Sequence, residues 1–594
     1  MALKKGTRLL LWISGLGLLI FIAAAVAVVL LVVNEQDFGD FSLASADAES
    51  SEWLHVHLEG PIADGPKPDS LIVDPEDIPL TVHDIAAAIH EAAADEDIGG
   101  LVLHLDGHGL GLAGAQEIRS AIAEFDAADK ECRAWSKVYE NIDWYLASAC
   151  GDVHLHPEGV PMAIGLKVST SYYAGTFEKI GVSGDFERVG TFKSAIEAYE
   201  NTGPSEPSIV QYEELLDSLW ATFTQDIAAG REVDPTVIAE LIHDPPVTAK
   251  SALERGMVDG LTYKDEFDDA LEDEGIEFIE IEEYAAGVRN RWRRADEKVA
   301  VVHLQGTIID GDSSSGGFGG DYIGDASTVK LLEELQENED VIAVVLRIDS
   351  PGGSALASDV MWRAIQKLDE EKPVVASMAN YAASGGYYIA MATRHIVAEP
   401  GTVTGSIGVF GGKFAMAGLY EKLGITTWSS QRGELAMLYN LTDPFTDAER
   451  AKVRERIEAF YDTFVTKAAE GRGMSWDEVD AVAGGRVWTG QQAAEVGLVD
   501  ELGGIETAVQ VAMDEAGVVK PEDVGRMVLP RRQTLVEAVL KSLNEQQVRS
   551  AQEAALRDIA GDEVIEALAR GQALQRVLEV GGIAAMDPVQ VTIH

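Results

Sequence analysis

Asn380-Tyr381-Ala382-Ala383-Ser384-Gly385-Gly386-Tyr387-Tyr388 sets a serine between an apolar run and a turn of small residues. The segment reads as a strand ending at Ser384 with a helix opening behind it. The first N–H groups of a helix lack intrahelical partners, so they can donate to negative charge developing on an oxygen. Upstream, Asp349-Ser350-Pro351-Gly352-Gly353-Ser354 breaks another apolar run into glycines, whose backbone can also turn its N–H groups outward. A hydroxyl beside two such donors is what acyl transfer needs. Ser384 is therefore the candidate nucleophile, with Gly353 and Gly385 as candidate oxyanion-hole donors. A Ser-Gly-Gly turn alone also serves plain helix packing; its pairing with the glycine loop on the preceding strand favours chemistry.

A serine nucleophile needs a base. From Val299 onward the chain offers only His303, His395 and the terminal His594. His303 lies in an early strand and looks structural, so a Ser-His-Asp triad is poorly supported. The other option is lysine, which must be uncharged to act. From an ordinary pKa of ~10.4, neutrality at pH 7 costs about 4.6 kcal/mol. Burial can supply a shift of that size, so the base is expected in an apolar, close-packed setting.

The elements that would position these groups occur twice. His57–Ile62 (HLEGPI) returns as His303–Ile308 (HLQGTI), and Leu101–Asp106 (LVLHLD) as Val344–Asp349 (VVLRID). Trp144–Ala147 returns as Tyr387–Ala390, Glu178–Gly181 as Glu421–Gly424, and Gly256–Asp259 as Gly497–Asp500. The offset stays between 241 and 246, which marks two copies of one fold. Short β-branched runs (Val299–Leu304, Ile342–Ile348, Pro373–Ser377) alternate with helical stretches (Ser327–Glu337, Ala357–Leu368, Asp447–Glu470). That alternation predicts an α/β fold with mostly parallel sheet and crossover helices. Gly287–Lys298, with Arg289, Arg291, Arg293 and Arg294, reads as a solvated basic connector. Ser313–Gly320 reads as a mobile loop, since it lacks the lysine and spacing of a phosphate cradle.

Four stretches carry a resemblance: Asn380–Tyr388, Asp349–Ser354, Thr404–Gly412 (TGSIGVFGG) and Gly190–Glu197 (GTFKSAIE). Together they closely resemble the signal peptide peptidase SppA family, in its long, duplicated, membrane-anchored form of protease IV type. The resemblance covers the N-terminal apolar segment and both copies, residues 1–515. It implies two tandem domains of the Clp protease/crotonase type behind a transmembrane helix. It also implies a serine nucleophile with a lysine general base, which fall on Ser384 and Lys193. By the same match Ser406 would be a hydroxyl that orients the lysine. Hydrophobic remnant signal peptides are the implied substrates, a ring-like homotetramer the implied assembly, and no metal or organic cofactor is implied.

The repeat register agrees. At an offset of 243, Ser384 falls opposite Asn141, and Lys193 falls opposite Ala436. Asp106-Gly107-His108-Gly109, the first copy's counterpart of the glycine loop, lacks the Pro-Gly-Gly turn. Each copy lacks what the other keeps, as expected of one composite site per chain. Phe192, Ala195 and Ile196 surround Lys193 with apolar groups, whereas Glu197 would oppose its neutrality if it pointed inward. Two alternatives share part of this pattern: a catalytically idle, membrane-anchored scaffold for peptides or partner proteins, and a crotonase-type acyl-CoA enzyme. The latter would need neither an anchor nor a Ser/Lys pair.

Composition bounds the rest. The chain has 594 residues, 46% hydrophobic and 25% charged, more than one core requires. Against 46 Lys+Arg stand 100 Asp+Glu, a formal charge of −54, so nucleic acid is excluded as a partner. Cys132 and Cys150 are too few for a disulfide scaffold or a cysteine-rich zinc site. Sequence leaves their pairing open, and two buried thiols are the expectation. Leu9–Val33 is an apolar run of 25 residues, ~37 Å as a helix against a hydrocarbon core of ~30 Å. Lys4, Lys5 and Arg8 precede it and Glu35, Asp37, Asp40 and Asp47 follow, which keeps the N-terminus cytoplasmic and sends the rest across the membrane, a bacterial inner membrane as the resemblance implies. A cleaved signal peptide is the alternative. Its apolar region would be shorter, and Ala44-Ser45-Ala46 lies far past the run. The expected organisation is 1–46 anchor and linker, 47–290 first repeat domain, 291–297 linker, 298–517 second repeat domain, and 518–594 helical tail.

Overall fold

Unbroken apolar runs suit strands covered on both faces, and that is what they form. The computed structural model describes residues 52–66, 71–72, 79–317, 320–531, 533–534 and 590–592. The first half contributes β1 (Glu52–Gly60), β2 (Ile98–His108), β3 (Glu131–Tyr139), β4 (Asp152–Pro161), β5 (Gly260–Leu261) and β6 (Glu277–Glu280). They make one parallel sheet in the order β5-β4-β3-β2-β1-β6. The second half contributes β7 (Lys298–Gln305), β8 (Val341–Ser350), β9 (Val374–Ala383), β10 (His395–Ala398), β11 (Val403–Gly405), β12 (Val487–Thr489), β13 (Glu501–Leu502) and β14 (Gly525–Leu529). Their order is β12-β11-β9-β8-β7-β14, with β10 beside β9 and β13 beside β10. The duplication is thus visible in topology. In each sheet the first strand is flanked by the second and by a strand from that half's end.

Helices cover the sheets where apolar periodicity meets a cap. Ser354 Oγ accepts from Ala357 N at the start of Ala355–Asp369. Thr446 and Glu449 form a capping box on Asp447–Arg472. Caps of this kind are worth ~1 kcal/mol each.

The halves interlock. The first half's strand Ser183–Val189 pairs antiparallel with the second half's Val409–Ala415, from Ser183 opposite Ala415 to Val189 opposite Val409. Arg347, on β8, is 1% exposed and bonds Asp64 at 2.7 Å and Glu117 at 2.7 Å, both from the first half. Burial acts to raise the Asp64 carboxyl, but the Arg347 guanidinium and His303 together outweigh it and hold that group below the usual carboxylate range. Burial pushes Glu117 up to about 7 despite Arg347.

Four local expectations are corrected. The basic connector belongs to a helix, Ile281–Arg294, whose Val288 and Trp292 are buried while Arg289 pairs with Asp84. Its apolar residues face the first-half core, which a solvated linker would not do. Within Ser313–Gly320, Ser314–Gly317 is a strand paired antiparallel with Gly320–Gly324. As far as the region after Val518 is described, it holds one 3-10 turn, Pro521–Asp523, and then a strand, Gly525–Leu529, which completes the second sheet beside β7 where a helical tail was expected. Cys132 and Cys150 are joined in a disulfide. The anchor Leu9–Val33 and most of the tail lie outside the described residues; among those described, no helix is long and apolar enough to cross a membrane.

Candidate active site

The second half delivers Ser384 at the end of β9, just ahead of the helix Gly385–Ala390. Its φ is +54°, a left-handed conformation that strains a residue bearing a Cβ and typically persists where surrounding structure enforces it. Ser384 N donates to Gly405 O at 2.9 Å, which ties this elbow to β11. Ser406, next to Gly405, also has a positive φ, +49°, and donates its backbone N–H to Arg486 O at 2.7 Å.

The first half delivers Lys193. Its Nζ lies 2.9 Å from Ser384 Oγ, 3.0 Å from Ser406 Oγ and 3.0 Å from Ser406 O. All three partners are neutral oxygens. Lys193, Ser384 and Ser406 are 3%, 6% and 4% exposed, so the cluster is shielded from bulk water. Glu197 is buried too, but its carboxylate is engaged elsewhere. It accepts from Arg188 Nη1 at 2.9 Å, from Ser205 and from Ser208 Oγ. Burial acts to raise Glu197, and these donors more than offset it, leaving the carboxyl below its usual range. Arg188 also donates to Lys193 O at 3.0 Å, fixing the loop that carries the lysine.

Gly353 and Gly385 are brought together beside Ser384. A Cβ on Gly385 would lie 3.1 Å from Gly353 N, and one on Gly352 would lie 2.7 Å from Gly385 N. Only residues without side chains allow the two backbones to approach this closely. Ile308 holds the loop from behind, accepting from Ser354 N at 2.8 Å and donating to Gly352 O at 2.9 Å. A cavity of about 30 Å³ opens here, lined by Gly353, Ser384 and Gly385 with Val409, Phe410 and Phe460. Those last three also line an adjoining cavity of about 400 Å³, with Leu356, Phe445 and Ile457. A space for one oxygen atom thus borders a larger apolar chamber.

The sequence reading missed Gly484 and Gly485, which receive the lysine loop. Phe192 N donates to Gly484 O at 2.9 Å, and a Cβ on Gly485 would stand 2.5 Å from Lys193 N. The Gly-Gly pair was the available signal, but nothing in sequence ties it to residues 190–193. In the first copy, Asn141 occupies the place of Ser384 and acts as a staple, donating to Gly165 O and accepting from Gly165 N. His303 sits in the buried cluster with Asp64 and His83, and His395 lies near Glu501.

A buried hydroxyl touching a buried amine, beside paired backbone N–H groups and an apolar chamber, is the constellation of a serine hydrolase. Comparison with known proteins agrees. The model of peptidase family S49 matches residues 124–275 and 366–519, together more than half of the chain. The chain is 31% identical to a chloroplastic serine protease SPPA of Arabidopsis thaliana, over 78% of this chain and 70% of that one. It is 31% identical to a Protease 4 of Haemophilus influenzae over 82% of each, and 31% identical to a Protease 4 of Salmonella typhi over 73% and 72%. A ClpP1 mutant from Listeria monocytogenes is matched at 15% identity over 35% of this chain and 94% of that one, with a TM-score of 0.24, too low to bear on the fold. The chain belongs to peptidase family S49 and is a serine peptidase, which sets aside the idle-scaffold and acyl-CoA readings.

Proposed function

We propose that Ser384 and Lys193 form the catalytic dyad of an endopeptidase that degrades hydrophobic peptides, remnant signal peptides among them, at a membrane surface. The observation that carries this reading is the 2.9 Å contact of Lys193 Nζ with Ser384 Oγ, between two buried groups from different halves. In the proposed cycle, uncharged Lys193 takes the Ser384 proton as Oγ attacks the scissile carbonyl. The backbone N–H groups of Gly353 and Gly385 stabilise the oxyanion. The lysine ammonium then gives its proton to the leaving amine, and the acyl-ester remains on Ser384. Water attacks the ester with Lys193 again as base, which releases the acid and restores the serine. Ser406 orients the lysine through its hydroxyl and carbonyl. The adjoining apolar chamber supports an apolar substrate side chain.

The anchoring and assembly parts of the reading rest on other grounds. Leu9–Val33 and its charge asymmetry support a single span with the catalytic halves outside the cytoplasm. The exposed Ile180, Leu423, Ile425 and Trp428 support burial against further copies of the chain, with a homotetramer as the proposed assembly.

Fluorophosphonate labelling of the detergent-solubilised chain tests the dyad. Wild type should label, and Ser384→Ala and Lys193→Ala should not while remaining folded. Labelling of folded Lys193→Ala at the wild-type rate removes lysine from the mechanism.

A further inference from the structure

The crevice that holds the serine in the second half has a counterpart in the first, and that counterpart is not empty of chemistry. A cavity of about 490 Å³ opens between the loop after β2, the start of the helix Asn141–Ala147, and the ends of β8 and β9. Its walls include His108, Glu140, Asp143, Asp349, Asn380 and Tyr381. Through the repeat register His108 falls at the Pro351 position and Glu140 at the Ala383 position, so a turn of small apolar residues has become a polar one.

Two buried side chains here have unmet hydrogen-bonding capacity. The His108 side chain is 1% exposed; its Nε2 pairs with Asp143 Oδ1 at 3.1 Å, and its Nδ1 has no hydrogen-bond partner among the described residues. The Asp143 side chain is 6% exposed; Oδ2 accepts from Glu140 N at 3.0 Å, and Oδ1 has His108 Nε2 as its one contact, which leaves it capacity for a further donor. Buried polar atoms are nearly always satisfied, so such a pair facing a cavity points to a ligand that supplies donors. Asp349 adds a carboxyl whose Oδ1 accepts from Tyr381 N at 3.0 Å; burial and the Asp64 charge raise it to about 7, and a cation seated beside it favours its ionised form. Carboxylates, an imidazole and an amide oxygen around one space suit a guanidinium or an ammonium, which offer several donors and a positive charge. A metal ion suits it less. Among the described residues the only His, Asp and Glu group with ligand atoms within 4.8 Å of one another is His57, Glu59 and Asp106, elsewhere on the first sheet.

The cavity also stands close to the serine. Tyr381, on β9, lies three residues before Ser384, which limits their Cα separation to about 11 Å. Signal sequences carry a basic stretch ahead of an apolar one. Resting on the peptidase reading above, we propose that the first-copy crevice is an acidic subsite that binds a Lys or Arg side chain of the peptide substrate. The copy that lost the nucleophile then retains a role in choosing substrates.

The test measures binding by the full-length Ser384→Ala chain, so it does not depend on cleavage. A fluorescein-labelled peptide carrying Lys-Arg-Lys followed by Gly and Ser is titrated by polarisation, beside a version with Gln at the three basic positions. Binding should weaken at least ~10-fold for the Gln peptide, and by a similar factor for the Lys-Arg-Lys peptide when Glu140→Gln or Asp349→Asn is added. Either substitution moves the formal charge of −54 by only one, so such a loss reports a local site rather than general attraction. Glu140→Gln keeps a side-chain acceptor, and thermal unfolding checks both variants for folding. Equal binding of the two peptides, or unchanged affinity in both folded variants, overturns the proposal. Loss of binding on adding a chelator also overturns it, by moving the cavity to a metal. A peptidase failure would show instead as absent cleavage by the wild type, with this binding intact.

Discussion

Lys193 Nζ and Ser384 Oγ are 2.9 Å apart although 191 residues separate them along the chain. The contact depends on the lysine loop of one copy reaching the serine elbow of the other, so it reports the docking of the two halves as well as the chemistry.

Removing either member should stop turnover. Ser384→Ala and Lys193→Ala are each expected to lower kcat by at least ~10³-fold, with the double variant no worse than the singles, because the two groups act as a unit. Steady-state cleavage of an apolar fluorogenic peptide measures this. Additive losses would show that the residues work independently.

Ser406 should act through the lysine. Ser406→Ala removes the hydroxyl 3.0 Å from Lys193 Nζ but leaves the carbonyl contact. Loss on the order of 10- to 100-fold in kcat with little change in KM is expected of a misplaced base. A change confined to KM would make Ser406 a substrate contact instead.

Gly485 should tolerate no side chain. Its φ is +81°, and a Cβ would stand 2.5 Å from Lys193 N. Gly485→Ala is expected to cost roughly 1–3 kcal/mol through strain. It should depress activity far more than stability, since the lysine loop must move away. Activity near wild type would mean the loop can shift without losing the Lys193–Ser384 contact.

The interlocking charge cluster should be sensitive to losing its centre. Arg347→Ala leaves Asp64 and Glu117 buried without their shared cation, and a loss of about 3–5 kcal/mol is expected. Denaturant unfolding measures it. A loss below ~1 kcal/mol would mean water reaches the two carboxylates and compensates them.

Asp349 gives stability a pH dependence. Burial, reinforced by the charge on Asp64, pushes its carboxyl from 3.8 up to about 7. A group whose pKa is raised on folding contributes stability that is full below its ordinary value and lost as pH rises through the folded one. Glu117, also raised to about 7 by burial, acts in the same sense. Tm should therefore fall between about pH 4 and pH 7, and Asp349→Asn should flatten that fall. An unchanged slope in Asp349→Asn would place its source elsewhere.

Much of the site was legible because it is local. Ser384, Gly353 and Gly385 each announce themselves within a few residues, through small side chains at a strand end and a helix start. The α/β class was legible from apolar runs alternating with helical stretches, and the duplication from a register that two folded copies keep. Lys193 was legible only through a resemblance and that register, since a lysine in sequence carries no sign of its burial. Arg289 to Arg294 misled for a related reason. A run of charges reads as solvated, whereas a helix can hold Val288 and Trp292 inward and its arginines outward.

The sequence alone determined where strands and helices form and which residue types stand at their ends, because those follow from periodicity, capping and backbone freedom over short spans. Only the tertiary structure decided which ends meet. The pairing of Ser183–Val189 with Val409–Ala415, the seat of Phe192 on Gly484, the Arg347 cluster and the disulfide between Cys132 and Cys150 all join segments through space. Such contacts depend on how whole sheets bury their faces against one another, and that packing has no local trace in the chain.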